Sequence, residues 1–414
     1  MAILDKFLES GVRHGTLEVS RPDGSKTRFG TPTEGYPNVR VRFTDKAGER
    51  RILTDPRIGA AEAYMDGQLV LEEGDIMELV QLLRQNAPWD RGGEVKEKTA
   101  LKLATDKAVT LIDGINRATS AKKNIAHHYD IGNELYKLFL DLEHMQYSCA
   151  YWPEDGMTLE QAQTAKLAHI AAKLAIEPGQ RVLDIGCGWG GMAIYLAKHY
   201  DVKVHGITLS EEQIELAKVR AEEAGVSDKV TFELVDYRAM PKRGDKFDRI
   251  VSVGMFEHVG QAQFKQFFKS TAELLTDEGV MLLHTIGRMG GPGTTDAFTR
   301  KYIFPGGYIP ALSETVAASE KSRLIATDVE TWRLHYAHTL RAWYAKCEAN
   351  RDRIVQMYDE RFYRMWTFYL AGATAAFESG TMCNYQLQFA RHRHALPFSR
   401  DYMAQAEKDL LAKG

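Results

Sequence analysis

The 414-residue chain lacks the features that mark secreted, zinc-stabilised or membrane-spanning proteins. Its four cysteines are far apart and never form a C-x-x-C pair, so neither a disulfide framework nor a metal site is expected. It contains no run of about 18 uncharged apolar residues, and its first residues carry acids where a signal peptide would need a basic start. We therefore expect a cytoplasmic protein.

Charge and composition narrow the class further. The formal net charge of −3 excludes a broadly basic nucleic-acid binder. Basic residues outnumber acids between 91 and 123, a stretch that could meet anionic lipid headgroups, although a solvated helix face explains it equally well. With 44% hydrophobic residues the chain can bury a large core, and its length favours two or three domains.

The most informative segment is 181–191, RVLDIGCGWGG. An apolar strand pattern ends at Asp184 and passes into Gly186, Gly188 and Gly190, after which a helix pattern begins. Such a turn brings the backbone and the free N–H groups of the helix N-terminus against a nucleotide-like ligand. The third glycine comes one residue too early for the dinucleotide fingerprint, and Asp184 favours a positively charged cofactor such as S-adenosylmethionine. The alternative is a glycine-rich turn without a ligand.

Strand and helix patterns alternate after this turn. The strand patterns are 203–209, 230–237, 247–260 and 279–287, and the helix patterns are 210–225 and 266–275. The helix at 210–225 starts at Ser210, a good N-cap residue, and stops at Gly225. This order predicts a doubly wound α/β sheet whose ligands bind beyond the carboxyl ends of the strands.

The first ninety residues have a different pattern. Residues 15–30 read as a hairpin with Pro22, Asp23 and Gly24 in its turn. Apolar alternation at 38–45 and again at 46–55 predicts further strands, and helix patterns follow. We predict a small α+β domain at 1–90, a charged helical linker at 91–120 and a catalytic domain at 121–414.

Several segments carry a family resemblance. VLDIGCGWGG, GITLSEEQ, the pair Asp236–Tyr237 and FDRIVSVGMFEHVG resemble the successive motifs of class I S-adenosylmethionine-dependent methyltransferases. More narrowly, the segments 127–152, 302–310 and 334–344 are similar to those of the cyclopropane-fatty-acyl-phospholipid synthase family and its mycolic acid cyclopropane synthase relatives. The resemblance implies a Rossmann-like sheet with a helical, aromatic insertion and a lipid-carrier-like N-terminal domain, which could alternatively serve only dimerisation or stability.

The resemblance also implies an activity. The family transfers a methylene group from S-adenosylmethionine to the cis double bond of unsaturated acyl chains in membrane phospholipids. An isolated alkene is a poor nucleophile and its methylation yields a carbocation, so the pocket must exclude water, offer aromatic rings and provide a base. Eleven aromatic residues after the strands suit an acyl-chain channel, although each alone is more typical of a core: Tyr147, Trp152, Phe256, Tyr302, Phe304, Tyr308, Tyr336, Trp343, Tyr344, Trp366 and Tyr369.

Site residues follow from the resemblance position by position. The family's base is a bound bicarbonate, and the matching residues are Cys149, Glu257, His284, Ile286 and Tyr336. Cysteine, histidine and tyrosine at these positions also occur as packing residues, but a carboxyl group after an apolar strand is costly to bury without a task. The residues that match cofactor contacts are Tyr147, Ser148, Asp184, Gly186, Gly188, Thr208, Leu209, Gln213, Asp236 and Tyr237.

Three functions are therefore in view. The first is the phospholipid cyclopropane synthase, expected to be a homodimer associated peripherally with the inner face of the membrane. The second keeps the cofactor site but gives methyl-branched or methylene fatty acids, or methylates a small molecule on nitrogen or oxygen. The third is a lipid carrier without catalysis, which the complete set of candidate catalytic residues argues against.

Overall fold

The computed structural model describes residues 3–93 and 132–413, so the predicted linker at 91–120 lies almost entirely outside the described residues. The chain divides into two units. The first consists of Met1–Leu103, Thr295–Pro305 and Leu340–Thr381, and the second of Ala104–Thr294, Gly306–Thr339 and Met382–Gly414, each over its described residues. The predicted domains at 1–90 and 121–414 remain a proposal.

The first unit contains a four-stranded sheet in the order β2-β1-β3-β4. Its strands are β1 Gly15–Ser20, β2 Lys26–Thr31, β3 Asn38–Phe43 and β4 Leu69–Glu73. Strand β1 pairs antiparallel with β2 across the predicted hairpin and parallel with β3. The helices are α1 Ile3–Gly11, α2 Lys46–Thr54, α3 Gly59–Met65, α4 Ile76–Gln85, α12 Arg351–Met357 and α13 Glu360–Glu378. The predicted small α+β region is therefore present.

Helix α2 replaces the strand that apolar alternation predicted at 46–55, so that prediction was wrong. The side chain of Asp45 accepts a hydrogen bond from the Gly48 main-chain N–H at 2.8 Å and caps the helix. Alanine, glutamate, arginine and leucine, which fill much of α2, also favour helix over strand. A cap and helix propensity thus outweighed a short alternation, which is a weak signal in so few residues.

The second unit contains a seven-stranded sheet in the order β10-β11-β9-β8-β5-β6-β7. Its strands are β5 Arg181–Ile185, β6 Lys203–Thr208, β7 Val230–Leu234, β8 Phe247–Val253, β9 Leu275–Arg288, β10 Ile325–Trp332 and β11 Met382–Ala390. Strands β5 to β9 are parallel, which confirms the predicted doubly wound sheet. Strand β11 pairs antiparallel with β9 and with β10, an extension that was not predicted.

Helices cover both faces of this sheet. They are α6 Leu159–Leu174, α7 Gly191–His199, α8 Glu211–Glu223, α9 Phe264–Leu274, α10 Leu312–Glu320 and α14 Asp401–Leu411. The unit also contains α5 Asn133–Phe139, and α11 His335–Ala349 begins in the second unit and ends in the first. Successive strand residues point to opposite faces: Val182 joins the apolar cluster of α6, α7 and α8, and Leu183 joins that of α9 and α10.

This arrangement decides where a site can form. Because β5, β6 and β8 run parallel, Asp184, Thr208 and Val253 lie at or near carboxyl ends on one edge of the sheet. Within residues 3–93 and 132–413, the structure has no helix that is long and apolar enough to cross a bilayer.

A buried group of charges ties α6 to the antiparallel strands. Lys173 is 2% exposed and contacts Glu330, with Asp328 Oδ1 3.7 Å from its Nζ. The ring of His169, one turn earlier on the helix, lies 2.8 Å from Glu330 Oε2 and 2.9 Å from Glu407 Oε2. Because a buried charge is costly without a partner, these residues depend on one another.

Glu330→Gln should lower the free energy of unfolding by about 2–4 kcal/mol, since it removes the carboxylate shared by Lys173 and His169. The control is Glu134→Gln, which removes the exposed partner of Lys137 and should cost less than about 1 kcal/mol. Denaturant unfolding of both full-length variants measures the difference. Equal losses would contradict a stabilising role for the buried group.

Candidate active site

A cavity opens to solvent at the carboxyl edge of β5, β6 and β8, with about 1070 Å³ of empty space that includes solvent at its mouth. All ten residues predicted to contact the cofactor line it: Tyr147, Ser148, Asp184, Gly186, Gly188, Thr208, Leu209, Gln213, Asp236 and Tyr237. These residues come from several strand ends and from the segment that precedes α6. The structure therefore brings together residues that are 90 positions apart in the chain, Tyr147 and Tyr237.

The glycine-rich turn forms the floor of the cavity. Gly186, Gly188 and Gly190 have φ of 84°, 54° and 79°, a region that side chains with a Cβ rarely occupy. A Cβ on Gly186 would lie 2.7 Å from Met255, and one on Gly190 would lie 2.5 Å from the ring of Phe232. A Cβ on Gly188 would meet nothing within 4 Å, so the backbone there faces open space. The turn thus leaves room for a ligand against bare backbone.

Asp184 places a carboxyl group at this turn. It is 2% exposed, and its Oδ2 has no hydrogen-bond partner among the residues that the structure describes. Burial raises the pKa of Asp184 to about 7, while the charge of Lys166 acts in the opposite direction. A positively charged ligand would stabilise the ionised carboxylate. The geometry therefore fits the ammonium group of the predicted cofactor.

Two further groups suit a nucleoside. Thr208 Oγ1 donates to Gln213 Oε1 at 2.8 Å, which holds the amide of Gln213 at the end of β6 with its Nε2 available as a donor. Asp236 is paired with Arg238, whose Nε lies 2.8 Å from Asp236 Oδ1. The hydroxyl of Tyr237 is buried and finds no hydrogen-bond acceptor in the described part of the chain. Ribose hydroxyls and a base could supply the missing partners.

The segment before α6 is held by buried polar side chains. Asp141 accepts from the main-chain N–H groups of His144 and Gln146 at 2.8 and 2.9 Å. Met145, between them, has a φ of 50° that is strained for a residue with a side chain. The Gln163 Nε2 donates to the Ser148 carbonyl at 3.0 Å. The segment is therefore built to present residues 147–149 in one conformation.

Glu257 lies in the short turn after β8 and is 6% exposed. Its Oε1 accepts from the Ile286 main-chain N–H at 2.6 Å, so the structure brings these two predicted residues into direct contact. Its Oε2 has no hydrogen-bond partner among the described residues. Burial raises the pKa of Glu257 to about 7, although the hydrogen bond from Ile286 opposes the shift. A neutral carboxyl group at this position could donate a hydrogen bond.

His284 is buried at β9 beside the antiparallel strand β11. Its Nδ1 lies 3.1 Å from Gln386 Nε2, and its Nε2 lies 3.3 Å from Asn384 Nδ2. The oxygens of both amides are buried without partners in the described chain, so turning either amide satisfies a ring N–H. Burial lowers the pKa of His284 well below its ordinary value, and the imidazole is neutral.

Cys149 and Tyr336 are carried by two elements that hydrogen bonds join. Cys149 is fully buried, its Sγ donates to the Ala150 carbonyl at 3.3 Å, and burial raises the pKa of its thiol. Tyr336 lies buried on α11, one turn before Thr339. Thr339 Oγ1 is 3.0 Å from both the Ala150 main-chain nitrogen and Trp152 Nε1. Convergence of all five predicted catalytic residues on one bound anion remains a prediction.

The aromatic residues predicted to form an acyl channel fall in both units. Those of the second unit are Tyr147, Trp152, Phe256, Tyr308 and Tyr336, and those of the first are Tyr302, Phe304, Trp343, Tyr344, Trp366 and Tyr369. Phe256 stacks on Phe264 with ring centres 4.3 Å apart and belongs to the apolar core. In the first unit, the rings of Phe304 and Trp366 both contact Tyr369. The channel itself remains a prediction.

Several polar residues around the site were missed by sequence reasoning. Lys166 and Gln163 sit on α6, whose pattern otherwise reads as a buried helix, and Gln146 and Arg238 line the cavity. The available signal was a lysine among apolar residues in QTAKLAHIAAKLA. From sequence alone a lysine is expected to be exposed to solvent, and only the fold shows that this face of α6 is buried.

Comparisons with known proteins agree with this geometry. The family model described as mycolic acid cyclopropane synthetase matches residues 116–387, and a domain of unknown function, DUF7884, matches residues 3–88. Cyclopropane-fatty-acyl-phospholipid synthase of Escherichia coli (strain K12) is 38% identical over 382 residues, 90% of this chain and 96% of the relative. A probable fatty acid methyltransferase of Pseudomonas putida is 39% identical over 351 residues, 82% of this chain and 85% of the relative.

One solved structure adds a ligand. Mycolic acid cyclopropane synthase CmaA1 complexed with SAH and CTAB is 32% identical, covers 65% of this chain and 98% of its own, and has a TM-score of 0.60.

Glu257→Gln should make the stability of the protein less sensitive to pH. Below pH 4.5 the wild-type carboxyl group is protonated in both the folded and unfolded states and carries no cost. Between pH 4.5 and about 7 the unfolded chain ionises first, so the wild type loses stability as pH rises, by at most about 3 kcal/mol. The variant should therefore gain stability relative to wild type at pH 8 but not at pH 4.5.

Unfolding midpoints at the two pH values measure this effect, with Glu278→Gln as the control because its carboxylate is exposed. A Glu257→Gln effect of the same size at both pH values would show that the carboxyl group titrates normally.

Proposed function

The chain belongs to the mycolic acid cyclopropane synthetase family and has the fold of a class I S-adenosylmethionine-dependent methyltransferase, and on this premise we propose that it converts cis-unsaturated acyl chains of membrane phospholipids into cyclopropane acyl chains. The main support for a phospholipid substrate is the extent of the similarity to the E. coli cyclopropane-fatty-acyl-phospholipid synthase, which spans 90% of this chain. The mycolic acid cyclopropane synthase CmaA1 covers only 65% of it. Because the similarity to the phospholipid enzyme extends over more of the chain, it favours a phospholipid substrate.

The cavity supports S-adenosylmethionine as the cofactor. Asp184 would face its ammonium group, Tyr147 and Ser148 its carboxylate side, and the bare backbone at Gly188 would allow close approach. Thr208, Leu209 and Gln213 would hold the ribose, with Asp236 and Tyr237 around the adenine. The unpartnered Oδ2 of Asp184 and hydroxyl of Tyr237 are polar atoms that such a ligand would satisfy. When bound, the cofactor supplies an electrophilic methyl group.

The predicted catalytic residues support a bound bicarbonate as the base that removes a proton from the added methyl group. Ile286 holds one oxygen of Glu257 through its N–H, and the other oxygen is left to meet the anion. With its pKa raised to about 7, Glu257 can donate from its protonated carboxyl group rather than repel a second negative charge. Cys149, His284 and Tyr336 are buried, which keeps water from a cationic intermediate.

A second outcome at the same site is a methyl-branched or methylene fatty acid. The similarity to the probable fatty acid methyltransferase of P. putida favours this alternative. Both outcomes begin with the same methyl transfer. Loss of a proton from the added methyl group with ring closure gives the cyclopropane, whereas loss of a proton without ring closure gives a methylene group or a methyl-branched alkene; a saturated branch would need a separate reductant. We also propose that the protein acts as a homodimer at the inner face of the membrane, a property taken from the family resemblance.

The reaction product decides between these functions. Vesicles of unsaturated phospholipid incubated with the enzyme and methyl-labelled cofactor should yield acyl chains heavier by one CH₂, with the label in a ring that resists mild hydrogenation. Mass spectrometry of the acyl chains measures the product. A label in an alkene or branch would favour the second outcome, and a headgroup label would refute both.

Glu257→Gln should slow turnover at least 100-fold while SAH binding stays within about threefold of wild type.

Gly188→Ala should weaken SAH binding at least tenfold, because the added methyl group occupies the face that meets the ligand. The matched control is Gly225→Ala, since that glycine also has a positive φ, of 68°, and open space around its Cβ but lies outside the cavity. Both variants should lose about 1 kcal/mol of stability. Calorimetric titration with SAH separates them, and equal affinities would argue against the assigned cofactor site.

A further inference from the structure

A buried cation lies beside the cofactor cavity. Lys166, on α6, is 0% exposed. Its Nζ donates to Ser148 Oγ at 3.1 Å and to Gln146 Oε1. Both partners line the cavity, and Ser148 is followed directly by Cys149. The ammonium group of Lys166 has lost its hydration shell and has two neutral hydrogen-bond partners instead. Burying a charge in this way costs several kcal/mol unless a negative charge lies nearby.

The residues predicted to hold bicarbonate provide no positive charge themselves. His284 is neutral because burial lowers its pKa well below the ordinary value, and burial keeps the thiol of Cys149 protonated. Ile286 offers only its main chain, Tyr336 a phenol, and Glu257 a carboxyl group. An anion bound among these residues would be desolvated without a counter-charge in its immediate shell. A neighbouring cation would remove that cost.

Lys166 is placed to supply this charge. Its field acts on Cys149 and His284, which come from different elements, and on Asp184 in the cavity wall. The sulfonium of the cofactor is also positive, but it becomes a neutral thioether once the methyl group has left. Burial lowers the pKa of Lys166 to about 8, so at neutral pH its ammonium group is still mostly protonated after that step.

We propose that Lys166 is a positioning residue that holds Ser148 and whose positive charge stabilises the anionic base at the adjoining site. This inference rests on the proposed function, because the anion is the bicarbonate invoked there. Asp141 also lies within the field of Lys166, but its oxygens are already bonded to the main-chain N–H groups of His144 and Gln146. Asp184 is the other carboxyl group in this field, and the proposed function pairs it with the ammonium group of the cofactor. The lysine therefore has charge to offer to a further anion.

The test uses the full-length protein saturated with SAH, in which no sulfonium is present. Bicarbonate is titrated at constant pH and ionic strength, with chloride as the replaced salt, and the unfolding midpoint is recorded. The wild type should be stabilised by bicarbonate. Lys166→Met should need at least tenfold more bicarbonate for the same stabilisation, and its turnover should show the same shift in bicarbonate dependence.

Two variants separate charge from structure. Gln163→Met removes the hydrogen bond to the Ser148 carbonyl from the same helix without removing a charge, so it measures the effect of disturbing the segment alone, and its shift in bicarbonate dependence should be clearly smaller than that of Lys166→Met. Lys166→Gln keeps a hydrogen-bond donor but no charge, and it should behave like Lys166→Met. The Gln variant also serves if the Met variant does not fold.

The possible outcomes are distinct. A normal bicarbonate response in either folded Lys166 variant refutes the role of its charge while leaving the proposed function intact. An equal loss in Gln163→Met shows that the position of residues 146–148, rather than the charge, controls the response, which also refutes it. If wild-type enzyme does not respond to bicarbonate at all, the proposed base is wrong and the role of Lys166 is refuted with it.

Discussion

The architecture of the second unit depends on a polar helix face that is buried rather than solvated. Along α6, Gln163, Lys166, His169 and Lys173 are all at most 9% exposed. The first two hold the segment that carries Tyr147, Ser148 and Cys149, and the last two pair with Glu330 on β10 and Glu407 on α14. Burying these groups is favourable only while every partner is present. The helix therefore couples the cofactor cavity to the antiparallel edge of the sheet.

Burial also sets the charge states of the titratable residues around the site. The same low dielectric that makes Lys166 and Lys173 depend on their partners raises the pKa of Asp184 and Glu257 to about 7 and keeps His284 neutral. With pKa values near neutrality, both carboxyl groups respond to the charge of a neighbouring ligand: a cation would favour ionised Asp184, and an anion would favour protonated Glu257.

The antiparallel strands explain how a common sheet acquires a specific site. Strands β5 to β8 supply the glycine turn, Thr208 and Glu257's turn, as expected of a doubly wound sheet. Strand β11 adds Asn384 and Gln386 against the ring of His284. Strand β10 adds Trp332, whose ring packs edge to face against the imidazole of His284, with the two ring centres 5.1 Å apart. The environment of His284 therefore comes from strands that lie more than 40 residues beyond it in the chain.

Some features of the protein could be predicted from its sequence, and others became known only from the tertiary structure. The strand–glycine–helix pattern at 181–199, the doubly wound sheet of β5 to β9 and ten of the residues that line the cavity could be predicted, because each depends on a local motif or on a residue-by-residue match. The helix at 46–54 could not, since a few alternating residues carry less information than a cap and propensity together. The burial of Lys166 could not be predicted either, because a lysine looks the same in the sequence whether its side chain faces solvent or the core. By itself the sequence determined the class of fold and the residues that can bind or react; tertiary structure decided which of them lose water, and loss of water sets their charge and their need for a partner.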